Sequence, residues 1–242
     1  MDLWMLAMGM GLVAFLYSSI GHAGASGYIA VMALCSVPAV QIKPIALALN
    51  IAVSILASWN FYRAGHLNPK LLIPLVLGSV PMAFLGGYLK LPAHWFQVLV
   101  GLVLWFSAYR LWLKARVEKT GHSPGRFILA GTGAGLGLLA GLTGTGGGIF
   151  LTPWMLWRGW ATTKTVAAVS ALFIFCNSVA GLAGHFAAVQ DFPAFGLWLL
   201  PVVAGGGWFG SWLGSRRYSA FWIRRLLAAV LLIAGMKLIF IP

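Results

Sequence analysis

Residues 3–42 form a stretch of 40 without a single Lys, Arg, Asp or Glu. A helix crosses the hydrocarbon core of a bilayer with about 20 apolar residues. The stretch is therefore too long for one span and too short for two full ones. Charge-free runs of 18, 19 and 19 residues follow at 45–62, 71–89 and 91–109. The pattern then restarts with a long run of 31 residues at 127–157, followed by runs of 26 and 24 at 165–190 and 192–215, and a last run from about Leu226. Overall 61% of the 242 residues are apolar and 8% charged, against about 45–50% and about 25% in soluble domains. Too few polar residues are present to cover a soluble core. The composition excludes a disulfide scaffold, a disordered tail and an ordinary cytosolic enzyme, and leaves an all-α polytopic membrane protein.

Both long runs are interrupted by small polar residues. The first break reads Ser18-Ser19-Ile20-Gly21-His22-Ala23-Gly24-Ala25-Ser26-Gly27, the second Gly141-Leu142-Thr143-Gly144-Thr145-Gly146-Gly147-Gly148. Non-helical backbone at membrane depth survives only where it is buried in protein or lines a cavity. A short apolar segment follows each break, at 28–34 and 149–157. The expected architecture is two repeats, each a broken first hairpin (helix, Gly-rich loop, short half-helix) followed by three spanning helices. The repeats occupy 1–113 and 127–242, joined by a basic cytoplasmic linker at 114–126. Landmarks match between them: Gly27-Tyr28-Ile29 with Gly148-Ile149-Phe150 and Lys43 with Lys164 at an offset of 121, then Pro74 with Pro201, Gly78 with Gly205, Gly87 with Gly214 and Arg110 with Lys237 at 127.

The net charge of +13 follows from 16 Lys and Arg against Asp2, Glu118 and Asp191. With five elements per half and the linker in the cytoplasm, 13 basic residues fall inside and only Lys43, Lys90 and Lys237 outside, a strong positive-inside bias. An odd number of elements makes the repeats inverted. The basic residues occupy connections between apolar runs, so they read as topology signals and lipid-headgroup contacts rather than a nucleic-acid surface. The N-terminus lacks a basic leader and reads as the first span, not a cleaved signal. Cys35 and Cys176 read as buried free thiols, with relay of a sulfur substrate as the sharper alternative. Trp95, Trp105, Trp112, Trp154, Trp157 and Trp160 suit interfacial belts.

If each short segment is a half-helix, its first N–H groups lack partners and carry partial positive charge near the bilayer midplane. Two such ends facing one another would make an anion site. The substrate-binding candidates are Gly24, Ser26 and Gly27 in the first break and Gly144, Thr145, Gly146, Gly147 and Gly148 in the second. Asn50, Ser54 and Ser58 share one helix face, and Ser170 and Asn177 another. Uncharged donors of this kind bind an oxyanion without trapping it; each could equally bond a neighbouring helix, so Asn50, Ser170 and Asn177 join the candidates with that alternative open. Gly131, Gly133, Gly135 and Gly137 read as helix packing. Lys43 and Lys164 either snorkel at helix ends or guard the anion path. His22 is the candidate for a proton-linked role, with an ordinary structural histidine as the alternative.

No acidic residue falls within an expected span, which argues against a carboxylate proton relay or an acidic cation channel. No P-loop or metal-spaced Cys/His cluster occurs; His22 near Ser18, Ser19 and Ser26 is the only grouping of nucleophiles with a base, and it makes a poor hydrolase site. The chain is expected to be no enzyme and to need no cofactor or metal.

The loop Gly144-Thr145-Gly146-Gly147-Gly148 after Ala140-Gly141-Leu142-Thr143, with Pro153 beyond it and Lys164 opening the next helix, resembles the sulfite exporter TauE/SafE family of membrane permeases. Gly21 to Gly27, Lys43, the tract from Gly78 to Gly87 and Gly210-Ser211-Trp212-Leu213-Gly214-Ser215-Arg216 extend the likeness over the whole chain. The resemblance implies a transporter of small sulfur-containing anions, such as sulfite or organosulfonates, in a bacterial inner membrane. The first loop is less glycine-dense than the second, which leaves open an unequal contribution of the two repeats. The expected partners are a small anionic substrate and membrane lipids; homo-oligomer formation is left open. An anion channel and a non-transporting membrane scaffold or lipid-binding subunit are the alternatives.

Overall fold

A computed structural model describes residues 3–19, 23–112, 124–189, 191–214 and 221–240. They form ten α-helices: α1 Leu3–Ser19, α2 Ala25–Leu34, α3 Ala39–Arg63, α4 Pro69–Tyr88, α5 Ala93–Trp112, α6 Arg126–Thr143, α7 Gly148–Arg158, α8 Thr163–Ala188, α9 Phe195–Gly214 and α10 Phe221–Phe240. Among the described residues there is no strand. Most of the linker at 114–126, together with His22, lies outside the described residues. Four helices (α3, α4, α6 and α8) are long and apolar enough to cross a membrane. Large apolar side chains cover the exterior, with Trp4, Leu77, Phe127 and Trp198 each at least 70% exposed.

Each long run divides where its glycines allow. Gly24 precedes α2 with φ 95°, and Gly144, Gly146 and Gly147 between α6 and α7 have φ of 77°, 69° and 81°. Side chains strongly disfavour that left-handed region, so glycine ends one helix and starts the next there. The resulting helices α2 and α7 have 10 and 11 residues, about 15–17 Å at 1.5 Å per residue, roughly half a bilayer core. The N-cap glycines are Gly24 and Gly147. This places the two breaks in register at an offset of 123 rather than 121, because α2 begins two residues before the position that sequence matching paired with Gly148.

Helix packing relies on backbone approach. Gly133, Gly137 and Gly141 recur every four residues on α6, and a Cβ at any of them would collide with the main chain of Leu75, Ser79 or Ala83 on α4. Gly131 and Gly135 face open space instead; only one face of α6 meets α4, so the packing expected of all four glycines holds for two of them. Gly206 and Gly210 bring α9 onto the backbone of Gly11 and Phe15 in α1 in the same way. The principal pairs are α4 with α6 and α8, α9 with α1 and α3, α3 with α8, and α5 with α10. Exchanging α1–α5 for α6–α10 leaves these pairs unchanged. The two halves interlock, and the middles of α3 and α8 meet between the two breaks.

Candidate functional site

The two breaks converge. A small cavity of about 10 Å³ is walled by Tyr17 of α1, Ala23 and Gly24 of the first break, Ala25 and Ser26 of α2, Asn50 of α3, Thr145 of the second break, Ile149 of α7 and Ile174 of α8; that is about the space of one water. The first turns of α2 and α7 thus border the same point. Neither helix carries a side-chain cap. Tyr28 N donates to the Gly24 carbonyl, and Phe150 N and Leu151 N to that of Gly147, which leaves the earlier amides of each first turn outside the helical ladder, at the positive end of the helix dipole.

The polar side chains fall into two groups. Several hydroxyls are committed: Ser26 Oγ and Tyr17 Oη share a hydrogen bond of 3.0 Å, Ser170 and Thr152 one of 2.9 Å, and Thr143 and Thr145 one of 2.9 Å. Ser54 donates to the carbonyl of Asn50 at 2.5 Å. Asn50 and Asn177, in contrast, are wholly buried, and neither the nitrogen nor the oxygen of either amide has a partner within the protein; Ser178 Oγ is also unpartnered. A buried polar group without a partner costs about 1–3 kcal/mol; five such atoms lie near the middles of α3 and α8, and a sixth, Ser58 Oγ, lies two turns further along α3. A Cβ at Gly146 would lie 2.7 Å from Asn50 Nδ2 and 2.8 Å from Ser178 Oγ. Gly146 therefore sits between α3 and α8, where no side chain fits, with the unpartnered groups on both sides.

The other candidates take distinct places. Gly144 packs on the backbone of Lys43 and Gly147 against Phe173 and Ala140. Gly148 lies against Ile174, and Gly27 against Val13 and Tyr17; both support close helix contact. Lys43 is buried rather than snorkelled: its Nζ donates to the carbonyls of Gly86 and Gly87 at 2.9 Å and to that of Leu89 at 3.4 Å. It closes the C-terminal end of α4, where carbonyls lack helical partners. Lys164 is exposed at the start of α8. The two lysines thus differ in role despite their sequence match, because Lys43 lies a turn inside α3 and Lys164 at the tip of α8.

Beside the site, Lys43, Lys90 and His185 are the ionisable groups in a larger cavity of about 310 Å³, otherwise walled mainly by apolar residues such as Leu89, Leu91, Phe96 and Val189. Cys35 and Cys176 are free and half-buried, and neither lines either cavity. Sequence reasoning missed Tyr17 and Tyr28, both fully buried. Tyr28 donates to the carbonyl of Ala23 at 2.8 Å, so the two tyrosines brace the first break from either side. The available signal was a tyrosine next to a helix break, whose hydroxyl needs a partner when buried.

The sequence model of a family described as sulfite exporter TauE/SafE matches residues 6–238. A probable membrane transporter protein, y4hK of Sinorhizobium fredii (strain NBRC 101917 / NGR234), is 38% identical over 240 residues, covering 97% of each chain. No solved structure matches. With its apolar helices and a match spanning nearly every residue, the chain belongs to the sulfite exporter TauE/SafE family and is an integral, multi-pass membrane transporter.

Proposed function

We propose that this transporter is a secondary permease for small sulfur-containing anions, sulfite or organosulfonates, that works by alternating access in the bacterial inner membrane. The observation that carries the reading is the meeting of two half-helix starts at one small cavity with the buried, unpartnered amide of Asn50. Neutral donors and helix dipoles suit an oxyanion. Two inverted repeats supply the moving parts. Five helices in each half give opposite orientations to equivalent elements, and the exchange-symmetric helix pairing supports this reading. Lys43 reaches the end of α4, near Lys90, and Lys237 reaches the end of α2 at Leu34 and Ser36. These are the three cations that charge bias assigns to the outer side.

The test is uptake of labelled sulfite into proteoliposomes. Saturable uptake with counterflow is expected, reduced at least tenfold by Gly147→Leu and by Asn177→Leu in protein that still inserts. Unsaturable, voltage-driven flux without counterflow would indicate a channel; wild-type flux in both variants would reject the site.

A further inference from the structure

The larger cavity, of about 310 Å³, shares no wall residue with the small one. Ligand pockets hold about 300–1,000 Å³ and combine a mainly apolar wall with a few convergent polar groups. Both parts are present here. Leu89, Leu91, Phe96 and Val189 are apolar wall, and Lys43, Lys90 and His185 are the ionisable groups. These three lie near one another: His185 feels the charge of both lysines and, with opposite sign, that of Asp191. Two ammonium groups against one carboxylate leave the neighbourhood positive. The starts of α3 and α5 and the ends of α4 and α8 all border the cavity. Their dipoles oppose one another, so the side chains decide the sign. The Lys43 ammonium is engaged by carbonyls at the end of α4 and contributes potential rather than a bond. Lys90 is exposed, and its flexible stem can bring an ammonium over the cavity. The cavity adjoins the second break. Leu142 in its wall lies two residues before Gly144, and Gly144 packs on the backbone of Lys43.

We infer that this cavity is a second solute site that binds an organic anion at both ends, with the charged head at Lys90 in the field of Lys43 and a compact apolar body against Leu89, Leu91, Phe96 and Val189. The inference rests on the anion-permease reading above and narrows its substrate class to sulfonates with an apolar body about the size of one ring. Sulfite has no apolar surface to bury against such a wall, whereas an arylsulfonate does. A volume of 310 Å³ holds about ten waters at about 30 Å³ each, which suits a ring with its sulfonate group. A phospholipid could enter only by its headgroup, whose polar surface would then face the apolar wall.

The test is equilibrium binding of radiolabelled benzenesulfonate to the full chain in detergent, with empty micelles as the blank. Saturable binding is expected. Methanesulfonate has the same head with one methyl group, and benzenesulfonamide has the same ring without the charge at neutral pH; each should compete at least tenfold more weakly than unlabelled benzenesulfonate. Lys90→Glu, an exposed change, should weaken binding at least tenfold, and Lys90→Arg should preserve it. Ala188→Phe, which occupies part of the cavity, should weaken it severalfold. Equal competition by methanesulfonate and benzenesulfonate, or undiminished binding in Lys90→Glu, would overturn the site. So would an anionic phospholipid retained by the wild type and lost from Lys90→Glu in native mass spectrometry, with no benzenesulfonate bound. Wild-type uptake of sulfite separates the two readings. Saturable uptake without benzenesulfonate binding would reject this site and leave the permease standing. Binding that depends on Lys90, with no uptake of sulfite or benzenesulfonate, would uphold the site and reject the permease.

Discussion

Replacing Lys43 by Met tests whether the α4 end depends on one buried ammonium. Nζ serves two carbonyls at 2.9 Å and a third at 3.4 Å. Met matches the length and apolar stem but cannot donate. A hydrogen bond to a charged group contributes about 1.5–3 kcal/mol. Taking the two shorter bonds at the low end and neglecting the third gives a loss of about 3 kcal/mol. For a chain of this size 1 kcal/mol shifts the melting temperature by about 2–4 °C, so Lys43→Met should lower it by about 6–12 °C. Lys164→Met is the internal control. Lys164 is exposed, and an exposed change stays within about 0.5 kcal/mol, or about 2 °C. Both are read by thermal unfolding of purified protein in detergent. Equal shifts for the two variants would refute the reasoning, because the sequence match would then outweigh the difference in burial.

Four more outcomes follow from the packing. Gly137→Ala places a Cβ against the main chain of Ser79 and should cost about 1–3 kcal/mol through overpacking, seen as a lower melting temperature. Gly135→Ala, two residues away with nothing within 4 Å, should be neutral or gain about 0.5–1 kcal/mol from helix propensity; destabilisation by both would mean that the α4–α6 seam is wrongly placed. Tyr17→Phe removes the hydroxyl bonded to Ser26 and should cost about 0.5–1.5 kcal/mol, checked by the same unfolding assay. Gly146→Ala puts a Cβ between Asn50 Nδ2 and Ser178 Oγ at a left-handed backbone, and its sulfite uptake should fall at least tenfold.

The helix order was legible because lipid leaves a coarse mark: charge-free runs show where helices lie, and glycine clusters show where they break. The short segments expected at 28–34 and 149–157 are the helices Ala25–Leu34 and Gly148–Arg158. Their starts differ because a left-handed glycine admits the helix immediately after it. Asn50 and Asn177 stood out in the sequence because an asparagine in an apolar helix needs a partner, and both are buried without one in the protein. What stayed hidden depends on helix rotation. Nothing in the spacing of Gly131, Gly133, Gly135 and Gly137 says which pair faces α4, and nothing next to Lys43 says that α4 ends within its reach. Ser54 and Ser170 share helix faces with the asparagines in the sequence, yet a neighbouring carbonyl and a threonine hydroxyl already satisfy them.

The position of the cations bears on how such a site would turn over. The chain carries 16 Lys and Arg, yet none of those described lines the small cavity between the breaks. A fixed ammonium or guanidinium in contact with an oxyanion would form a charge-assisted bond about twice as strong as a neutral one. In a dry interior that strength would be recovered on binding and lost again on release, which slows every cycle. Lys43 illustrates the alternative arrangement. Its backbone touches Gly144 while its ammonium is held on the end of α4, so its charge can raise the local potential without a direct bond to the solute. Partial charges of helix ends and neutral amides are weaker and fixed in place. In the proposed cycle they would select for negative charge and shape, and would let go when the surrounding helices shift.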